Sequence, residues 1–115
     1  MFNQYTWGDK EPRIIAAVKA HREWLNENRE RVEQISEEKG LDFKKILEAI
    51  DLADATVERY LELGEDREIS GYRSDGEPCH MSGHLRMNVF SHTNNFRVLI
   101  GRRLGMDEVF ALPKW

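Results

Sequence analysis

Four side chains that commonly ligate metals, Cys79, His80, His84 and His92, fall within one short stretch, with Asp75 and Glu77 beside them. These are the donor types that hold a divalent cation, but structural zinc sites pair two close ligands with two more across a longer loop. Here Cys79 and His80 are adjacent, so on extended backbone they point to opposite faces and only one turns inward. His84 alternates with Leu85 in the same way on the strand expected there. The order His84, Asn88, His92 supplies the residue types of metal-assisted phosphodiester cleavage, yet a spacing of four leaves too little chain to gather both histidines round one metal and one phosphate. Cys79 as a nucleophile would need a separate base and a third orienting group, which its extended neighbours do not provide. GYRSDG lacks the lysine and helix start of a phosphate cradle. Acidic pairs such as Asp51 with Asp54 and Glu65 with Asp66 are expected in a chain with 21 acids. The reading is of a non-enzymatic protein with no metal and no cofactor.

The elements that position these residues must come from one core, because 115 residues with 40% apolar content support a single domain over 1–115. The net charge of −4 lacks the overall basic footprint of a nonspecific nucleic-acid coater, so any nucleic-acid contact must be local. One cysteine rules out an intramolecular disulfide, and no apolar run approaches the roughly 20 residues of a membrane span. The opening MFNQYTWGDK has neither the basic start nor the apolar stretch of a signal peptide. The chain therefore reads as soluble and cytoplasmic, with no membrane partner.

Acidic residues and Pro12 set a helix start near Glu11, and Gly40 after Lys39 sets its end. Ile14, Val18, His21, Leu25, Asn28, Val32 and Ile35 step by four and three, a heptad seam along a long amphipathic helix over 11–39. Polar His21 and Asn28 in that seam suit register between two paired helices, which points to a homodimer. The next segment, LDFKKILEAIDLADATVERYLELG, predicts two short helices joined around Asp51–Asp54 and stopped by Gly64. REISGYR and HLRMNVF predict a small β-hairpin, since Leu85, Met87 and Val89 alternate and Ser74, Asp75, Gly76 and Pro78 form turn chemistry. SHTNNFRVLIGRRLG predicts a last helix with Thr93 as its cap, Phe96, Leu99, Ile100 and Leu104 on one face and Gly105 as its stop. The fold class is mainly α. Trp7, Trp24, Phe43, Tyr60, Phe90, Phe96 and Phe110 are assigned to the core. Trp115 either tucks back or docks on a partner.

The segment from Phe43 to Glu62 resembles the helix-turn-helix of bacterial and phage DNA-binding proteins. Ile46, Ile50, Leu52, Val57 and Tyr60 stand where such motifs wedge their two helices together, and ATVERYL resembles a recognition helix. The resemblance implies a dimeric regulator of transcription on double-stranded DNA, with the hairpin as a wing in an α+β, winged-helix-like arrangement. Thr56 and Arg59 would lie near the groove, with Arg67, Arg73, Arg97, Arg102 and Arg103 on phosphates. Charge favours the alternative. Residues 41–66 carry three basic against eight acidic side chains, net −5, which suits an acidic adaptor or inhibitor engaging a basic protein partner. The only acid-free basic block, from His84 to Met106, holds Arg86, Arg97, Arg102 and Arg103.

Overall fold

The computed structural model describes the backbone of residues 6–66, 68–72 and 78–115, and side chains at 6–66 and 84–115. The architecture is mainly helical. A short 3-10 turn at Gly8–Lys10 leads into α1, Glu11–Glu38, followed by α2, Phe43–Leu63. Two short strands, β1 (Glu68–Tyr72) and β2 (Pro78–His84), pair antiparallel, with Glu68 opposite His84 and a register shift between Ser70 and Tyr72. Helix α3, Leu85–Arg97, continues into a π-helical segment, Val98–Arg103, and a final 3-10 turn, Asp107–Ala111.

The predicted start and stops of the long first helix hold. Pro12 sits in the first turn, where its missing N–H costs nothing. Gly40, Gly64 and Gly105 all have φ between 71° and 74°, the left-handed conformation that closes a helix and that residues with a Cβ adopt at a cost. The seam of α1 is buried against its own chain: Ile14, His21 and Val32 are 0% exposed, and Val18 and Leu25 nearly so. The polar seam residues have intrachain explanations. Asn28 leaves helical geometry (φ −115°, ψ 15°) and donates from Nδ2 to the Trp24 carbonyl at 2.8 Å, filling a bond that the kink opens. The surface on which the dimer expectation was founded is thus used inside the chain.

Two further expectations are corrected. The segment 43–62 is not a pair of short helices; α2 runs unbroken through Asp51–Asp54. No glycine or proline interrupts it, and the apolar positions Ile46, Ile50, Ala53, Val57 and Tyr60 form one continuous buried stripe. Asp42 caps it, its Oδ1 accepting from the Lys44 N–H at 2.9 Å. The turn that the helix-turn-helix resemblance requires is absent. Likewise HLRMNVF is not a strand: β2 ends at His84 and Leu85 begins α3. Leu85 and Val89 are spaced for either period, but Asn88, Val89, His92 and Phe96 continue the helical one, and Met87, expected to alternate inward, is 54% exposed. Thr93 is therefore buried in mid-helix and caps nothing. The Asp66 carboxylate instead accepts from the Arg86 N–H at 3.3 Å, at the first turn of α3.

The core lies where α2 packs on α1 and α3. Trp7 lies flat on Tyr60, ring centroids 3.7 Å apart, and its backbone N–H donates to the Tyr60 hydroxyl at 3.0 Å. Burying an aromatic pair of this kind contributes about 1 kcal/mol beyond the apolar area it removes from water. Trp24 and Phe43 pack at the core's edge. Arg22 of α1 reaches two carboxylates of α2, donating from Nε to Asp54 at 2.8 Å and from its terminal nitrogen to Asp51 and Asp54.

Candidate functional site: a cationic, aromatic-rimmed pocket

One face of α3 carries Phe90, Thr93, Asn94 and Arg97 at helical spacing, and the chain after Gly105 folds back over it. The fold-back places Phe110, Lys114 and Trp115 opposite those four residues, leaving a cavity of about 230 Å³ between them. The π-helical segment makes this approach feasible. The wide turn lets the Leu104 N–H reach the Leu99 carbonyl, five residues back, at 3.2 Å. Gly101 then presents bare backbone to the Phe110 ring, where a Cβ would stand 2.2 Å from Cζ.

Arg97 forms the floor. It is 8% exposed, and all of its hydrogen-bond acceptors are neutral. One terminal nitrogen donates to His21 Nε2 at 3.0 Å and to the Leu112 carbonyl at 3.3 Å; the other donates to the Phe110 carbonyl at 3.1 Å. Its guanidinium also lies 5.6 Å from the centre of the Phe110 ring. These bonds use three of the five guanidinium N–H groups. Among the described residues no Asp or Glu side chain pairs with Arg97, and none lines the pocket. Burial lowers the basicity of Arg97 from its ordinary value, in the direction expected of a cation short of compensation.

His21 holds Arg97 from beneath. Its Nδ1 lies 2.6 Å from the Ala17 carbonyl, which can only accept, so Nδ1 carries the proton. Arg97 can only donate, so Nε2 is bare and the imidazole neutral. Burial, and then the Arg97 charge, lower the His21 pKa, while the Ala17 hydrogen bond opposes them. Phe96 meets the His21 ring edge-on at 5.8 Å and completes its enclosure.

The walls mix aromatic surface with polar groups. Phe90 (51% exposed) and Phe110 (41% exposed) form the rim rather than the core to which the sequence assigns them. Phe90 lies off the face of α3 that the buried Leu85, Val89 and Phe96 fill. Trp115 is half-buried and meets Phe90 edge-on at 6.3 Å, so it tucks back onto the fold. The Thr93 hydroxyl is buried without a hydrogen-bond partner, a deficit that usually costs about 1–3 kcal/mol.

Of the residues named for nucleic-acid contact, the structure brings only Arg97 into this site. Thr56 turns back along α2, its hydroxyl donating to the Leu52 carbonyl at 2.7 Å. Arg59 pairs with Glu62 at 3.6 Å on an exposed face. Arg102 and Arg103 are exposed on the π-helical segment. Arg67, Arg73, Asp75, Glu77 and the side chains of Cys79 and His80 lie outside the described residues. His84 is exposed at the start of α3, whereas His92 is buried, which lowers its pKa. No cluster of three or more His, Cys, Asp or Glu side chains suited to a metal occurs among the described residues. Lys114, Phe110, Asn94 and Thr93 went unassigned as site residues; the spacing of Phe90, Asn94 and Arg97 at i, i+4 and i+7 was the available signal.

No protein-family model, curated protein or solved structure matches the chain. Among the described residues no helix is long and apolar enough to cross a membrane.

Proposed function

We propose that this protein is a small non-enzymatic regulator or adaptor that acts through protein–protein contact, docking a segment of its partner in the pocket between α3 and the C-terminal fold-back. The observation that carries the reading is Arg97: a buried cation held only by neutral acceptors, beneath an aromatic rim. Aromatic side chains and arginine concentrate where binding energy concentrates, and a half-enclosed pocket excludes water from the contact. The acidic outer face of α2 serves as a second charged surface, turned towards basic partners.

The test is selection from a library of displayed random peptides on the immobilised protein, followed by rebinding to Lys114→Glu and Phe90→Asp variants. Enriched peptides that share a pattern and lose binding to both variants are the expected result. Absence of enrichment, or binding indifferent to both substitutions, would overturn the reading.

Exposed Arg102 and Arg103, which make no ion pair among the described residues, favour a second reading: duplex DNA held by its phosphates. Anisotropy of labelled random duplex, titrated at low salt, separates the two. Binding that falls steeply with salt and weakens in the Arg102→Ala/Arg103→Ala double variant supports DNA, and no binding at low salt removes it.

A further inference from the structure

We infer that the occupant of the pocket is an acidic peptide segment in which a carboxylate side chain lies next to an apolar or aromatic one. This rests on the reading of the pocket as a protein-docking site and adds the chemistry of what docks there.

A guanidinium out of water needs a counter-charge or a full set of acceptors to offset lost hydration, and among the described residues Arg97 has neither. Its three bonds go to an imidazole and two carbonyls, and two N–H groups remain. Lys114 adds a second cation to the same cavity without an acid among the lining residues. Electrostatic complementarity therefore calls for an anion.

Hydrogen-bond capacity points the same way. A carboxylate offers two oxygens and about four lone pairs, all acceptors. The pocket supplies matching donors: the remaining Arg97 N–H groups and the Lys114 ammonium. Charge-assisted bonds of this type are roughly twice as strong as neutral ones.

The rim fixes the second half of the motif. Phe90 and Phe110 expose large ring surface on either side of the cations, and Trp115 braces Phe90. An apolar side chain adjacent to the carboxylate covers those rings, and the resulting exclusion of water strengthens the ion pair below. Peptide is favoured over nucleic acid because the molecule carries net charge −4, with −5 on residues 41–66. That field repels a polyanion at long range far more than one or two carboxylates on a short segment.

The experiment is an amide NMR titration of the full chain with two capped peptides, acetyl-Gly-Glu-Leu-Glu-Gly-amide and its Gln-for-Glu counterpart. A twelve-nucleotide single strand serves as the third probe. The expected result is saturable shifts at Thr93, Asn94 and Lys114 with the Glu peptide, binding at least tenfold weaker with the Gln peptide, and none with the oligonucleotide. Lys114→Gln removes one cation from an exposed side chain of the pocket, so it is expected to melt at the parent temperature while binding the Glu peptide several-fold more weakly. Equal binding of the Glu and Gln peptides at the pocket would overturn the carboxylate assignment while leaving a docking pocket. Oligonucleotide binding there, or no shift with any probe, would overturn both the assignment and the docking reading.

Discussion

Arg22 and Arg97 each tie one helix to another part of the fold, and they do so in opposite ways. Arg22 lies between α1 and α2, half-buried, with Asp51 and Asp54 both accepting from it. Arg97 is deeper, and its hydrogen-bond acceptors among the described residues are all neutral. The first is a closed electrostatic unit, charge met by charge, whose work is to hold two helices in register. The second is bonded but not neutralised. Hydrogen-bond counts alone make the two look equally satisfied; counting charge shows that only one is complete. Burial raises the Asp54 pKa, and Arg22 pulls against that shift, which shows how a partner offsets desolvation. Arg97 has no such partner among the described residues.

The largest effect is expected from Arg97→Met. It leaves His21 Nε2 and two carbonyls without their donor and frees the C-terminal fold-back, which together should cost about 2–4 kcal/mol. Chemical denaturation monitored by circular dichroism checks this; a loss below about 0.5 kcal/mol would mean that the guanidinium pins nothing. The corresponding change at the other site, Arg22→Met, should cost less, about 1–2 kcal/mol, because both carboxylates it abandons remain partly in water. If the order is reversed, the contrast between a closed and an open site fails.

The clean start and stops of α1 and the capping glycines were legible because each rests on local chemistry: Pro12 at a first turn, Gly40, Gly64 and Gly105 at ends. The mainly helical class followed from the same signals. Asp51–Asp54 misled because acidic residues favour turns in isolation, whereas here they face Arg22 across a helix interface. HLRMNVF misled because Leu85 and Val89 satisfy both a strand and a helix period, and only packing on α2 decides. Arg97 was readable as a cation of the basic block from His84 to Met106 but not as a buried one. Its partners, His21 and the Phe110 and Leu112 carbonyls, are brought together by tertiary structure, and the close approach at Gly101 depends on a π-helical turn that no local signal encodes.

A smaller effect sharpens the comparison by perturbing the open site without touching its charge. Gly101→Ala places a Cβ against the end of the Phe110 ring, which is free to swing outward. Stability should change by less than about 1.5 kcal/mol, while the rim opens and affinity for the Glu peptide falls. Unchanged affinity would separate Phe110 from recognition.

pH provides the mildest perturbation. The folded-state pKa values of His21 and His92 are lowered by burial, so the unfolded chain binds more protons than the folded chain as pH falls through about 6.5. Their contribution to stability is complete above that value and is lost progressively below it. At His21 the added proton would set an N–H against the Arg97 donor. Asp54, with a raised pKa, acts with the opposite sign at lower pH. Melting temperature should therefore decline between pH 7.5 and 5.5, and less so in a His21→Gln variant; a flat or rising profile would place the imidazole in the charged form.

A carboxyl placed in the pocket reads the positive field of Arg97 and Lys114 directly. Asn94→Asp puts one on the pocket wall, exposed and one helical turn from Arg97, past the first turn of α3 where a helix dipole would depress it. The pKa of the introduced carboxyl, followed by carbon-13 NMR, is predicted to lie clearly below the ordinary value of about 3.9. A value at or above that figure would contradict the account, because the charge of Arg97 would then already be met within the fold.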